Sequence, residues 1–290
     1  QMRAEDPSRW GWPAWPEPLR DSRSAEVLRF EHEHADEVGY HLWLQWHADV
    51  QLSAAAEEAH ARGMPLGLYR DLAVGVSSGG AETWANPDAY ALDLRAGAPP
   101  DDFNPKAQDW GLPPWKPAQL TALAYAPFIA TLRANMRHAG ALRIDHVMVL
   151  ARLFCLPHNG ADGAYVEYPI DDLAAIVALE SRRARCVIVG EDLGTVAPAI
   201  RQMMQQRGML SYRPLYFERD AGGGFRPPWR MPRNAVVTLG THDLPTWSGF
   251  WSEADIDARE ALRFFASAEV AARLRSDRAR DRLGVLKALA

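Results

Sequence analysis

Five apolar runs alternate with helical segments along the chain, and this alternation constrains the fold more than any other feature. The runs are apolar throughout and do not alternate between apolar and polar residues. This is typical of parallel strands buried on both faces of a sheet. They are Pro65–Asp71, Ala141–Asp145, Cys186–Glu191, Leu210–Phe217 and Ala235–Gly240. The repeated strand–helix order predicts an α/β fold with a parallel sheet.

Apolar residues recur at helical spacing between these runs. Trp43, Trp46 and Val50 predict a helix before the first strand, with these side chains on one face. A second helix should end at Gly140, a natural helix C-terminus, just before the second strand. A third helix is predicted to be capped by Asp171 or Asp172 and to run through Ala184.

Carboxylates stand at the end of four strands, and their positions carry the functional information. They are Asp71, Asp145, Glu191 and, just past the fifth run, Asp243. Carboxyl ends of parallel strands meet at one edge, which holds the ligand site both in a barrel and in an open sheet. A single such residue is as often a helix cap or a loop ion-pair partner, but four in five strands favour a shared site. Arg143 lies two residues before Asp145 and therefore faces the same side, where it would favour the ionised carboxylate.

Two kinds of chemistry use several carboxylates without a cysteine or serine nucleophile. One is the binding of Mg²⁺ or Ca²⁺ by oxygen ligands, and the other is cleavage of a glycosidic bond between an acid and a carboxylate. The chain has 11 tryptophans, and their flat faces suit stacking on sugars, which favours the second chemistry. The segment His32–His34 resembles a metal-binding fragment, but its charged surroundings indicate an exposed surface.

Composition excludes several other classes. The net charge of −5 gives no basic surface for nucleic acid or an anionic membrane. There is no apolar run of membrane-spanning length, and residues 1–20 lack the apolar core of a signal peptide. Cys155 and Cys186 both lie in apolar runs, so we expect two buried free thiols and a cytoplasmic location.

Eight short motifs, in order from Gly67 to Thr246, resemble the amylomaltases, the 4-α-glucanotransferases that disproportionate α-1,4-glucans. Each motif is modest alone, and the ordered set is specific. They read GLYRDLAVG (67–75), GAETW (80–84), GAPPD (97–101), QDWGLPP (108–114), LRIDH (142–146), GAYV followed by Tyr168-Pro169 (163–169), GEDLG (190–194) and GTHDLPT (240–246).

The resemblance implies a retaining double displacement on a (β/α)₈ barrel. It identifies Asp145 as the nucleophile, Glu191 as the general acid/base and Asp243 as the third carboxylate, which grips sugar hydroxyls. Arg143 and His242 would assist in the subsite of the reacting glucose. Burial at the end of an apolar strand would help Glu191 to donate a proton. In a retaining enzyme the two reacting carboxyl groups lie about 5–5.5 Å apart.

Further substrate contacts are implied for Asp71, which closes the first strand motif, and for Asp101, Gln108 and Trp110. The last three belong to residues 95–116, interpreted as a long active-site loop rich in proline and glycine. Asp101–Trp115 resembles the mobile loop that covers the acceptor side in this family, where it would keep water from the glucosyl-enzyme.

The matched motifs correspond to strands three to seven of the barrel. The barrel is therefore expected to be incomplete within residues 1–290, with strands one, two and eight outside the chain and residues 1–25 an irregular Trp/Pro-rich segment. Unpaired sheet edges and exposed apolar helix faces would favour association. The partners implied are α-1,4-glucan, maltooligosaccharides and glucose, with no cofactor or metal. The alternatives are an α-amylase-like hydrolase, a glucan-binding but inactive fragment and, more distantly, a metal-dependent hydrolase.

Overall fold

The five predicted strands are present, and they belong to two structural units. The structure is a computed structural model that describes residues 10–100, 107–265 and 267–290. The first unit comprises the described residues up to Asp192 together with Val196–Met209, and the second comprises Leu193–Thr195 and the described residues from Leu210 to Ala290. The strands of the first unit are β1 (Tyr69–Leu72), β2 (Leu94–Ala98), β3 (Gln108–Asp109), β4 (Ala141–Ile144), β5 (Arg152–Pro157), β6 (Ala164–Glu167) and β7 (Val187–Gly190).

The helices follow the same division. The first unit contains α1 (Ala25–Glu33), α2 (Ala35–Ala61), α3 (Ala81–Ala85), α4 (Pro117–Ala122), α5 (Ala126–Met136), α6 (Ile170–Ala184) and α7 (Pro198–Gln206). The second unit contains strands β8 (Leu210–Pro214) and β9 (Ala235–Thr238) and helices α8 (Trp247–Ser252), α9 (Ala254–Ala261) and α10 (Ala268–Leu289). Short 3₁₀ helices lie at Trp12–Ala14, Glu17–Leu19, Pro87–Ala89, Val147–Leu150, Leu215–Phe217 and Pro228–Arg230.

The parallel sheet predicted from the apolar runs is confirmed. In the first unit β4 pairs in parallel with β1 on one side and with β7 on the other, and in the second unit β8 pairs in parallel with β9. All four residues of β4 are buried, as the continuous apolar run predicts. The first strand begins at Tyr69 and not at Pro65, because Gly67 adopts a φ of +63° in a turn closed by Met64.

An antiparallel sheet of the order β3-β2-β5-β6 was not predicted. Ala96 of β2 lies opposite Cys155 of β5, and Gly97 lies opposite Asp109 of β3. Part of the segment interpreted as a long loop, 95–116, is therefore a short hairpin of β2 and β3. Asp101, expected to bind substrate, lies outside the described residues.

Three helix predictions need correction in detail. Helix α2 is present, but Trp43 and Trp46 are 51% and 57% exposed and do not form a buried face. Helix α5 ends at Met136, four residues before Gly140, because His138 follows with a φ of +61°. Asp171 and Asp172 lie in the first turn of α6, after the cap residue Pro169, where their charges favour the positive end of the helix dipole.

The N-terminal Trp/Pro-rich segment is held by hydrogen bonds to the region after β1. The indole nitrogen of Trp12 donates to the hydroxyl of the buried Thr83 at 3.0 Å, and that of Trp84 donates to the carbonyl of Leu19 at 3.0 Å. The first bond joins residues that lie 71 positions apart in the sequence, and the second joins residues 65 positions apart. Trp84 is thus occupied in packing the N-terminal segment.

The core of the first unit is packed by side chains of α5, α6 and the parallel strands. Leu132 of α5, Leu142 of β4 and Val177 of α6 are fully buried within one cluster, which extends to Ile188 of β7. Cys155 and Cys186 are buried free thiols, as expected. In the described part of the chain, no helix combines the length and the apolarity needed to cross a membrane.

Candidate active site

Three of the predicted carboxylates lie at the carboxyl ends of the three parallel strands of the first unit. Asp71 is the third residue of β1, while Asp145 and Glu191 directly follow β4 and β7. Backbone hydrogen bonds continue beyond the strands: the amide of Asp145 donates to Leu72, and that of Glu191 donates to Ile144, both at 3.0 Å. These bonds fix the backbone positions of Asp145 and Glu191 relative to the neighbouring strands.

Arg143 connects two of these carboxylates. The β1–β4 register places it opposite Asp71, and its Nη1 donates to both carboxylate oxygens of Asp71 at 2.8 Å. Its Nη2 lies 2.7 Å from Oδ1 of Asp145, the contact predicted from their spacing. Burial opposes the charge of the guanidinium, but the hydrogen bonds to Asp71 and the charges of Asp145 and Glu191 raise the pKa of Arg143. The cluster therefore contains a permanent cation with its side chain only 8% exposed.

His146 links the Asp145 segment to Glu191 through its backbone. It adopts a φ of +47°, a left-handed conformation that is uncommon outside glycine. This conformation brings its amide N–H to Oε2 of Glu191 at 2.9 Å, while the next amide, of Val147, donates to the Glu191 carbonyl at 3.0 Å. These two hydrogen bonds attach the buried Glu191 to the backbone segment that directly follows Asp145. The sequence indicates His146 only as part of the LRIDH motif, since the identity of a histidine does not reveal a left-handed backbone.

Burial of the imidazole lowers the pKa of His146 to about 4. The ring is therefore neutral near pH 7. Trp110 meets it edge-on, with ring centroids 5.3 Å apart and an interplanar angle of 74°. The indole nitrogen of Trp110 donates to Oε1 of Gln108 at 3.2 Å. Two of the predicted loop residues, Gln108 and Trp110, thus lie beside the segment that connects Asp145 and Glu191.

A cavity of about 280 Å³ adjoins the cluster and is bordered by Asp71 and Asp145. Trp115 and Tyr168 form part of its wall, and the Tyr168 hydroxyl donates to the Trp115 carbonyl at 2.8 Å. The side chain of Glu82 adds a further carboxylate to the lining. The cavity combines apolar and aromatic walls with a few polar groups, the composition of a small-molecule site.

The remaining predicted site residues lie in the second unit. Asp243 and His242 follow β9 in a turn, with side chains 73% and 67% exposed and with Nε2 of His242 3.4 Å from Oδ2 of Asp243. The amide of Asp243 donates to the hydroxyl of Thr241 at 3.1 Å. Trp247, four residues after Asp243, stacks on Phe250 and packs within that unit.

The candidate metal fragment does not form a metal centre. His32 is exposed on α1, and the ring of His34 stacks on Phe30 with centroids 4.0 Å apart. Across the described ranges, no three His, Cys, Asp or Glu side chains are arranged to hold a metal ion.

Comparisons with known proteins agree with the motif order. A family model described as 4-alpha-glucanotransferase matches residues 2–284. The chain is 44% identical over 274 residues to a 4-alpha-glucanotransferase of Mycobacterium tuberculosis, covering 92% of this chain and 38% of that protein. It is 41% identical over 281 residues to one of Haemophilus influenzae, covering 96% and 40%. The crystal structure of amylomaltase from Corynebacterium glutamicum superposes with a TM-score of 0.82 at 37% identity, over 87% of this chain and 36% of that one. The chain thus spans about two fifths of the length of these relatives.

Proposed function

Because the chain belongs to the 4-alpha-glucanotransferase family, we propose that its carboxylates transfer segments of α-1,4-glucan to a new 4-hydroxyl by a retaining double displacement. The observation that carries the proposal is that Asp145 contacts Arg143 and that the residue after Asp145, His146, holds Glu191. One carboxylate contacts a buried guanidinium, and the other is held beside it by the amide of His146. Retaining glycosidic chemistry needs such a pair of carboxyl groups.

In the first half-reaction a carboxylate oxygen of Asp145 attacks the anomeric carbon. Glu191 gives its proton to the glycosidic oxygen, and the chain beyond that oxygen leaves as a free 4-hydroxyl. A covalent glucosyl ester of Asp145 remains. In the second half-reaction Glu191 takes the proton from the 4-hydroxyl of an acceptor, whose oxygen attacks the anomeric carbon and frees Asp145. Two inversions restore the α configuration, and this sequence of steps consumes no cofactor.

The other residues have supporting roles in this proposal. Arg143 keeps the nucleophile charged and oriented through the contact of 2.7 Å. Asp71 holds Arg143 through both of its carboxylate oxygens, and it also borders the cavity, where it would contact the substrate. Asp243 and His242 would grip the hydroxyls of the reacting glucose. Asp101, Gln108 and Trp110 would contact the acceptor side and limit the access of water.

The same proposal extends to the fold. The parallel strands β1, β4, β7, β8 and β9 would correspond to strands three to seven of a (β/α)₈ barrel, in which the carboxyl ends of the strands hold the active site. α-1,4-Glucans, maltooligosaccharides and glucose are the proposed donors and acceptors. The buried thiols Cys155 and Cys186 suit a reducing cytoplasm.

The test is incubation with maltotriose followed by separation of the products. Transfer gives glucose together with a ladder of longer maltooligosaccharides, whereas an α-amylase-like hydrolase gives only glucose and maltose. Asp145→Asn and Glu191→Gln should each lower turnover by about three orders of magnitude or more. Glu58→Gln, which alters an exposed ion pair with Arg62 near the end of α2, is the matched control for charge removal.

Calorimetry with a maltooligosaccharide separates binding from turnover. Binding without any product would contradict the transferase proposal for this chain and favour the glucan-binding alternative. Full turnover by Asp145→Asn would remove this residue from the role of nucleophile. Activity that disappears on exhaustive chelation would instead favour a metal-dependent hydrolase.

A further inference from the structure

An open cavity of about 570 Å³ lies at the carboxyl-terminal ends of α5 and α6 in the first unit. Its lining shares no residue with the carboxylate cluster of the candidate active site. Helix α5 and the turn after it contribute Arg133, Met136, Arg137 and His138, and α6 contributes Glu180, Arg183 and Ala184. Four of these seven residues carry basic side chains, in a chain whose net charge is −5.

Glu180 orders two of the arginines at the cavity. Its carboxylate is only 3% exposed and accepts from Nε and Nη2 of Arg133 at 2.8 and 2.9 Å, and from Nη1 of Arg183 at 2.7 Å. The side chains of Arg133 and Arg183 nevertheless remain accessible, because they are 58% and 57% exposed. Glu180 therefore acts as a buried anchor beneath two fixed cations.

Arg137 adds a third guanidinium, which is also held in place. Its Nη1 donates to Oδ1 of Asp49 at 3.2 Å, and its side chain is 61% exposed. The same carboxylate oxygen lies 3.1 Å from Nε2 of His138. Carboxylates of the protein thus hold all three arginines in position, and the same three arginines line the cavity. Little side-chain entropy remains to be lost when an anion binds.

Basic residues at a helix carboxyl terminus often serve only to neutralise its exposed carbonyls. Here Arg70 of β1 already does this for α5, since its Nη1 donates to the carbonyls of Ala134 and Arg137 at 3.2 and 3.1 Å. Without Arg70, three guanidiniums, those of Arg133, Arg137 and Arg183, face the two carboxylates of Glu180 and Asp49. These three guanidiniums exceed the two carboxylates by one positive charge. Because Arg70 already serves the carbonyls at the end of α5, the helix dipole does not account for the cluster.

We propose that this cavity binds a phosphate group, either as inorganic phosphate or as the monoester of a sugar. Guanidinium groups match the oxygens of a tetrahedral phosphate with paired, charge-assisted hydrogen bonds. The volume leaves space beside the phosphate for an attached sugar ring. The site is separate from glucan transfer and does not depend on the proposed function.

Isothermal titration calorimetry of the chain with inorganic phosphate, glucose 1-phosphate and glucose tests the proposal. Both phosphates should bind at one site and weaken with added sodium chloride, and glucose should give no signal that depends on this cavity. Tighter binding of the ester than of inorganic phosphate would identify a sugar phosphate as the ligand, and equal binding would identify the phosphate group alone. The double variant Arg137→Gln/Arg183→Gln should weaken both phosphates about tenfold or more, the loss expected from removing charge-assisted hydrogen bonds.

Arg182→Gln is the matched control, because Arg182 is an exposed neighbour of Arg183 on α6 that does not line the cavity. It should change the affinity by less than about twofold. If the double variant does not fold, as judged by circular dichroism, Arg183→Lys keeps the charge but removes the planar fork, and it should still weaken phosphate several-fold. The proposal is overturned if the wild-type chain binds neither phosphate, if the double variant binds like wild type, or if Arg182→Gln weakens binding as much as the double variant.

Discussion

The neutral state of His146 makes a quantitative prediction for the pH dependence of stability. Burial lowers its pKa from 6.5 to about 4. In the unfolded chain the imidazole takes up a proton as the pH falls through about 6.5, but in the folded chain it stays neutral until about pH 4. His146 therefore contributes fully to stability above pH 6.5, and this contribution is lost between pH 6.5 and 4.

The size of the effect follows from the two pKa values. Each unit of difference corresponds to about 1.4 kcal/mol, so the complete loss is about 3 kcal/mol, of which about 2 kcal/mol is lost by pH 5. Urea unfolding followed by tryptophan fluorescence at pH 7.5, 6.5 and 5.0 measures the free energy of unfolding. His146→Asn should lose about 2 kcal/mol less than the wild type between pH 7.5 and 5.0. Asparagine does not titrate and tolerates the left-handed backbone at this position.

His32→Asn is the control, because His32 is exposed on α1. Its pH dependence should match that of the wild type. If His146→Asn loses as much stability on acidification as the wild-type chain, His146 is not buried in its neutral form and this prediction is wrong.

Three further changes test contacts that hold the site and its surroundings, each by urea unfolding. Asp71→Asn should lower the free energy of unfolding by about 2 kcal/mol, because the amide presents donors to the buried Arg143 guanidinium. The control Glu58→Gln, in an exposed pair with Arg62, should lower it by less than about 0.5 kcal/mol, and equal losses would contradict the role of the Asp71–Arg143 contact. Gly140→Ala should lower the free energy of unfolding by about 3 kcal/mol or more, since a Cβ there would lie 1.6 Å from the Leu66 carbonyl oxygen. At Gly39 on α2 a Cβ would meet nothing within 4 Å, so the control Gly39→Ala should leave the stability unchanged or raise it. The hydrogen bonds from Arg133 lower the pKa of Glu180 from 4.5, so the contribution of Glu180 to stability is present above pH 4.5 and is lost as the pH falls below it. Glu180→Gln should remove this part of the acid sensitivity and lower the free energy of unfolding by about 3 kcal/mol at pH 7. An unchanged acid transition would exclude this role of Glu180.

The parallel strands were predictable because each is a continuous apolar run with a carboxylate at its end. The antiparallel sheet was not predictable in the same way. Its strands have two to six residues, and β2 pairs with β5 across more than fifty positions of sequence. Short strands of mixed burial carry little periodicity, and their pairing depends on tertiary contacts that a local pattern does not contain. The exposed tryptophans of α2 show the same limit, since helical spacing indicates a shared face but not what covers it.

The site was predictable in its residue types and less so in its connections. The spacing of two between Arg143 and Asp145 correctly indicated a common side of β4. The contact of Asp71 with Arg143 depends on the β1–β4 register, which no single strand reveals. The turn of the backbone at His146 that brings its amide to Glu191 depends on a left-handed conformation forced by the surrounding structure.

Adjacent residues of β1 carry opposite charges to opposite faces of the sheet. Arg70 reaches the carbonyls at the end of α5, and Asp71 reaches the guanidinium of Arg143. No residue of β1 is fully buried, so hydrophobic burial alone gives little penalty for sliding this strand by one residue. Here such a slip would place a cation against Arg143 and an anion against the negative end of a helix. Charge therefore favours the observed alignment of this strand, because the same two side chains that serve the site and the helix disfavour a shift of one residue.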